Sequence, residues 1–212
     1  HLDIKSEKPV TVETTYESWR TKDIELTNDP SKHDRRAMCM MNYDTYEGKV
    51  FLYKDEIRPN DEFVSFYHRV DNTKDCFEFQ VKQQGLEPVR EQLANPLENL
   101  IWGGALVGDN FVLAGETNGT FAETPFKGWK YVSYAPSKSH RVRVCLHVDQ
   151  VNNMEFWHNG LQKLVDLPPH EDDKAWKENK KWWIEFWKRS HLVINSGRGE
   201  EDAGWRIGRN YQ

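Results

Sequence analysis

Apolar and polar residues alternate in short runs along this chain, and residues that favour turns bound each run. The clearest run is 140–149, where Val142, Val144, Leu146 and Val148 fall on one face and Arg141, Arg143, Cys145, His147 and Asp149 on the other. A period of two is that of a strand with one face in a core and the other in water. Residues 62–70, with Phe63 and Tyr67, and residues 76–82, with Phe77, Phe79 and Val81, are two more runs. The turn-like Asp71-Asn72-Thr73-Lys74-Asp75 between them predicts a hairpin. Residues 50–53, 129–134 and 154–165 add strands, the last joined to 140–149 through 150–153 as a second hairpin. Leu93, Leu97 and Leu100 have helical spacing, but Pro88 and Pro96 limit 87–99 to a loop with a turn of helix.

Between 172 and 187 the signal divides: Trp176, Trp183 and Trp187 fit a helical stripe, whereas Trp182, Ile184 and Phe186 fit a strand face. Aromatic and β-branched residues favour strands, so 181–187 is expected as a strand after a linker or helical turn through Asn179. Residues 192–195 and 205–208 would close the set. The pattern predicts one all-β domain over 1–212, an antiparallel β-sandwich of the jelly-roll kind with short helical turns.

Composition changes this picture in a few places. Only 37% of the 212 residues are hydrophobic, yet 9 Trp, 8 Tyr and 10 Phe supply large buried areas, so a sizeable core is expected. A net charge of −5 provides no broad positive field, which argues against a dedicated nucleic-acid binder. The longest mostly apolar run, 100–113, is interrupted by Gly103, Gly104, Gly108 and Asp109 and falls short of a membrane-spanning helix. Cys39, Cys76 and Cys145 lack metal-site or disulfide-framework spacing and read as buried thiols. The sequon Asn118-Gly119-Thr120 favours an extracellular setting. The acidic clusters Glu171-Asp172-Asp173 and Glu200-Glu201-Asp202 are candidate calcium ligands, because calcium needs several converging oxygens, although such runs are usually solvated loops.

The segment 139–167 pairs a long alternating strand and a polar turn with Glu155-Phe156-Trp157-His158-Asn159-Gly160-Leu161. It resembles the paired strands of concanavalin A-like jelly rolls, the superfamily of laminin-G modules and several polysaccharide lyases. That resemblance implies a carbohydrate-directed fold. In the lyases, Arg, Gln, His, Lys and Tyr gather on adjacent strands of a concave face, and the matching residues here are Arg143 and His147 on one strand and Gln80 and Lys82 on another. A uronate carboxylate would be neutralised by Arg or Gln while His or Tyr removes the C5 proton. The C-terminal Trp205-Arg206-Ile207-Gly208-Arg209-Asn210-Tyr211-Gln212 is similar to the lyases' lysine, glycine, tyrosine and glutamine motif, with Arg206 in the lysine place and Tyr211 one residue late.

Aromatic planes stack on sugar rings, so Trp182, Trp183, Trp187, Trp205 and Tyr134 are the candidate ligand-binding residues. On a strand, Trp182 and Trp183 would point to opposite sides and leave one ring exposed. Carbohydrate recognition is therefore the leading expectation. A polysaccharide lyase or other carbohydrate-active enzyme on the same fold is the second. A self-assembling coat protein, homo-oligomeric through its aromatic C-terminal segment, is the third.

Overall fold

The computed structural model describes residues 1–27, 49–71, 76–189, 192–195 and 197–211. The chain divides into two compact units, 1–165 and 166–212. Among the described residues, ten strands belong to the first: β1 (Leu2–Val10), β2 (Glu13–Ser18), β3 (Ile24–Leu26), β4 (Val50–Leu52), β5 (Glu56–Pro59), β6 (Phe63–Arg69), β7 (Leu100–Gly108), β8 (Phe111–Phe121), β9 (Thr124–Ser133) and β10 (Ser137–Gln150). They form antiparallel sheets in the orders β1-β10-β7-β6-β5, β2-β9-β8 and β3-β4. The first unit also holds helices α1 (Phe77–Gln83) and α2 (Met154–Val165) and a 3-10 turn at Glu87–Gln92, the turn of helix expected there. The second unit holds helices α3 (Pro169–Arg189) and α4 (Ala203–Tyr211).

The apolar run beginning at Leu100 is the central strand β7, flanked by β10 from Val142↔Gly108 to Gln150↔Leu100 and by β6 from Phe63↔Val107 to Arg69↔Ile101. Both of its faces are covered, and a strand buried on both sides has no polar face to alternate with. On one face Tyr67, Ile101, Ala105 and Val107 pack with Trp157, Leu161 and Val165 of α2. On the other, Val64, Leu106 and Val142 pack with Phe111, Trp129 and Tyr131 of the three-stranded sheet. The Tyr131 hydroxyl donates to the Asn60 carbonyl at 2.8 Å, tying that sheet to the β5–β6 turn, and burial pushes its pKa up to about 12.

Several expected strands are helices. Residues 76–82 contain most of α1, so β6 pairs with β5 and β7 instead; the proposed turn at 72–75 lies outside the described residues. Residues 154–165 are α2, whose buried Trp157, Leu161 and Val165 recur every four positions on one helical face. Asn153 Oδ1 accepts the Glu155 N–H at 2.8 Å and starts the helix, while the Arg143 guanidinium donates to the Val165 carbonyl at 2.9 Å and finishes it. Residues 181–187 continue α3, residues 205–208 belong to α4, and 192–195 form no strand.

The expected core face of β10 is also corrected. Val142 is buried, but Val144, Leu146 and Val148 are exposed, while α2 covers the side carrying Cys145 and His147. The opposite sheet's shared core reaches Val142 and ends there on this strand.

Gly160 lets α2 lie on β10: an added Cβ would collide with His147 Nε2. Gly160→Ala is expected to lower stability by about 1–3 kcal/mol through overpacking. Trp157→Ala, which empties the largest fully buried side chain, should cost about 3–5 kcal/mol. Urea denaturation of both variants, monitored by circular dichroism, checks the pair.

Candidate functional site

The end of β2 is where the fold turns polar chemistry both inward and outward. Side chains alternate through it: Tyr16 inward, Glu17 outward, Ser18 inward, Trp19 outward, Arg20 inward. The inward set converges on Asp55, just before β5. The Asp55 carboxylate receives Arg20 Nε at 3.0 Å, lies 3.2 Å from His68 Nδ1, and accepts the Ser18 hydroxyl at 3.3 Å. The Asp55 N–H donates to the Arg20 carbonyl at 2.9 Å, closing the loop on the backbone as well. His68 stacks on Trp102, Arg20 lies over the same indole at 4.9 Å, and Tyr16 stacks on Phe66 with ring centroids 4.3 Å apart.

Burial pushes the Asp55 carboxyl upward, but the His68 hydrogen bond and the Arg20 charge outweigh it, so the pKa lies below the ordinary carboxylate value. Tyr16 is pushed well above the ordinary phenol value, first by burial and then by the Asp55 charge. Ser18 and Arg20 are thereby fixed, and the residues between and beside them must face out.

Those outward residues form one side of a cleft of about 380 Å³ lined by Glu17, Trp19, Phe121, Ala122, Thr124 and Phe126. Its size falls within the roughly 300–1,000 Å³ of small-molecule sites. The β8–β9 hairpin supplies the other side. Ala122 and Glu123 form its two-residue turn with φ of 47° and 67°, the left-handed pair that matches strand twist and sets Phe121 opposite Thr124. The Phe126 ring occupies the space over Gly119, its cross-strand partner, where a Cβ would strike it. Trp19 is 64% exposed and Phe121 77% exposed, so two large aromatic side chains stand open to water in a cleft that a carboxylate also lines.

A second aromatic and polar cluster lies where β5, β6 and β10 meet α2. Arg58 donates to the Tyr67 hydroxyl at 2.9 Å and stands 3.4 Å from His158 Nε2, while Trp157 packs against Tyr67, His147 and His158. Burial, followed by the Arg58 charge, lowers the His158 pKa. Among the described residues, His147 Nε2 and Trp157 Nε1 are buried without a hydrogen-bond partner.

The residues expected to form a lyase face occupy separate places. Arg143 and His147 share the α2-facing side of β10, Arg143 capping the helix and His147 lying against Trp157. Gln80 and Lys82 are on α1 rather than on a strand, with Gln80 accepting a hydrogen bond from Gln84. Of the expected ligand-binding aromatics, Trp182, Trp183 and Trp187 belong to α3. There Trp182 stacks on Phe186 and Trp183 on Trp187, the neighbours four positions along a helix. Trp187 also meets Tyr211 of α4, and Trp205 lies under Arg209. Tyr134 is 80% exposed beside a separate cleft with Asn110 and Ser137. Of the acidic clusters, Asp202 caps α4 through the Trp205 N–H at 3.0 Å, and no group of three or more potential metal ligands gathers among the described residues.

Trp19, Phe121 and Phe126 were not singled out by the sequence pattern. Their signal is faint: an aromatic residue just beyond the 13–18 alternation, and two more flanking a polar turn about a hundred positions later.

The fold and cleft define an antiparallel-sheet domain with an exposed aromatic cleft. Residues 1–192 match a family model described as a domain of unknown function, DUF5703, and the chain belongs to that family. No curated protein and no solved structure matches it.

Removing the Asp55 carboxylate leaves Arg20 and His68 without their partner, so Asp55→Ala is expected to cost about 2–4 kcal/mol in urea unfolding. Because the folded pKa lies below the unfolded value of 3.8, this contribution is present above that pH and lost as pH falls through the folded value. Asp55→Asn should therefore show a shallower loss of stability with acidification than the parent chain.

Proposed function

We propose that this domain recognises carbohydrate through the cleft between Trp19 and Phe121. The observation that carries the reading is the exposure of both rings in a concave site that Glu17 also lines. Large apolar side chains held in water at the rim of a concave site mark a binding surface. A sugar ring presents an apolar face of C–H groups and a polar edge of hydroxyls. Trp19 and Phe121 suit the face, and Glu17 and Thr124 suit the edge. The Asp55 cluster supports the same reading, since a ligand platform must not rearrange when loaded. We further propose a sandwich of the concanavalin A-like jelly-roll kind, supported by the core that the five-stranded and three-stranded sheets share.

A second reading rests on unit 166–212 alone. Trp176, Trp182, Trp183 and Ile184 of α3 are exposed, and a groove of about 590 Å³ runs beside Trp176, Trp183 and Trp187. Self-association through this aromatic helix face would make the chain an assembling protein, with sedimentation that shifts with concentration.

A glycan array, followed by calorimetry on the strongest hit, tests the main reading. Trp19→Ala and Phe121→Ala are each expected to weaken binding about ten-fold or more, while Trp182→Ala leaves it within about two-fold. Absence of binding to any glycan, together with concentration-dependent sedimentation abolished by Trp182→Ala and Trp183→Ala, would replace it with the assembly reading.

A further inference from the structure

The charge around the cleft narrows the ligand class, an argument that rests on the carbohydrate reading above. The strands carrying the site hold two lysines close to it, Lys127 and Lys130 on β9. Lys127 pairs with Glu116 at 2.8 Å and lies over the Trp129 ring at 5.3 Å, and Lys130 pairs with Glu13 at 3.4 Å. Glu17 makes no ion pair among the described residues and is the one charged side chain lining the cleft. Another carboxylate, Glu123, stands exposed in the hairpin turn next to Ala122.

A carboxylate flanked by aromatic faces attracts cations twice over, through its own charge and through the ring quadrupoles. It repels a uronate or a sulfated sugar, whose negative groups would meet Glu17 with no basic side chain in the lining to neutralise them. A neutral sugar satisfies the rings but leaves the carboxylate with water or hydroxyl partners. We infer that the cleft selects amino sugars whose nitrogen is unacetylated and protonated: the ring face stacks between Trp19 and Phe121 while the ammonium group pairs with Glu17. The shared chemistry, a cation against aromatic faces, also occurs in quaternary ammonium compounds. The Thr124 hydroxyl in the lining and a cleft of about 380 Å³ favour a hydroxylated ring over a compact methylated cation.

The test compares three oligosaccharide probes of equal length by calorimetry: a fully deacetylated chito-oligosaccharide, a fully acetylated one, and a neutral gluco-oligosaccharide. Choline and an oligogalacturonate serve as further probes. The deacetylated oligomer is expected to bind about five- to ten-fold more tightly than the acetylated and neutral ones, with a preference that shrinks as salt rises. Glu17→Gln should erase that preference while keeping the residual affinity for the neutral sugar, and Glu155→Gln, an exposed position on α2 across the five-stranded sheet from the cleft, should leave it unchanged. Equal affinity for acetylated and deacetylated oligomers, still lost in Trp19→Ala, would overturn the charge selectivity and leave carbohydrate recognition standing. Preference for the galacturonate would overturn it as well. Choline binding as tightly as the deacetylated oligomer would replace the sugar with a small cation. Binding of none of the probes would remove the carbohydrate reading itself.

Discussion

The Asp55 carboxylate is the point on which the candidate site depends. It lies in the short link before β5, far in sequence from the groups it holds, and its bonds to Arg20, His68 and Ser18 join the end of β2 to β6. Taking a carboxylate out of water is costly unless its partners are in place, so the arrangement tolerates little drift. With Ser18 and Arg20 pinned inward, strand alternation leaves Glu17 and Trp19 no direction but outward. One buried charge thus determines where an exposed aromatic and an exposed carboxylate stand. The hairpin turn at Ala122 and Glu123 does the same for Phe121 from the opposite side.

The division of labour between the two faces of the five-stranded sheet follows from packing. One face accepts α2, whose Trp157 fills the space beside Tyr67 and Ile101, and the other accepts the three-stranded sheet through Trp129 and Tyr131. Aromatic residues do most of this filling, which is how a chain with a modest hydrophobic fraction supports a two-sided core. The same residue type also stands exposed at the surface, in Trp19 and Phe121 and along α3.

Much of the first unit was legible from period-two alternation. The strand over 140–149 and the one over 62–70 are present as β10 and β6, both interior strands of the five-stranded sheet. Residues 154–165 and 181–187 misled for a physical reason. Tryptophan, phenylalanine and valine favour strands intrinsically, yet at four-residue spacing they also build a helical stripe, and in α2 the sheet face beneath rewards the stripe. The face of β10 that is covered was likewise settled by its neighbours, since α2 prefers the side with Cys145 and His147 over the valines. The cleft itself was not legible. Its two walls are about a hundred residues apart and meet only through β2–β9 and β8–β9 pairing, and Asp55 is one carboxylate among many until Arg20 and His68 are seen around it.

If the Asp55-anchored end of β2 and the β8–β9 hairpin together present one ligand surface, a glycan ligand must perturb both at once. Nuclear magnetic resonance mapping on the full chain during titration with a glycan ligand tests it most directly. The largest shifts are expected on the Trp19 indole and on the amides of Glu17, Gly119, Phe121, Thr124 and Phe126, with Arg20 and His68 unmoved. Shifts concentrated on the α3 tryptophans, or spread across β10 and α2 with Trp19 silent, would contradict it.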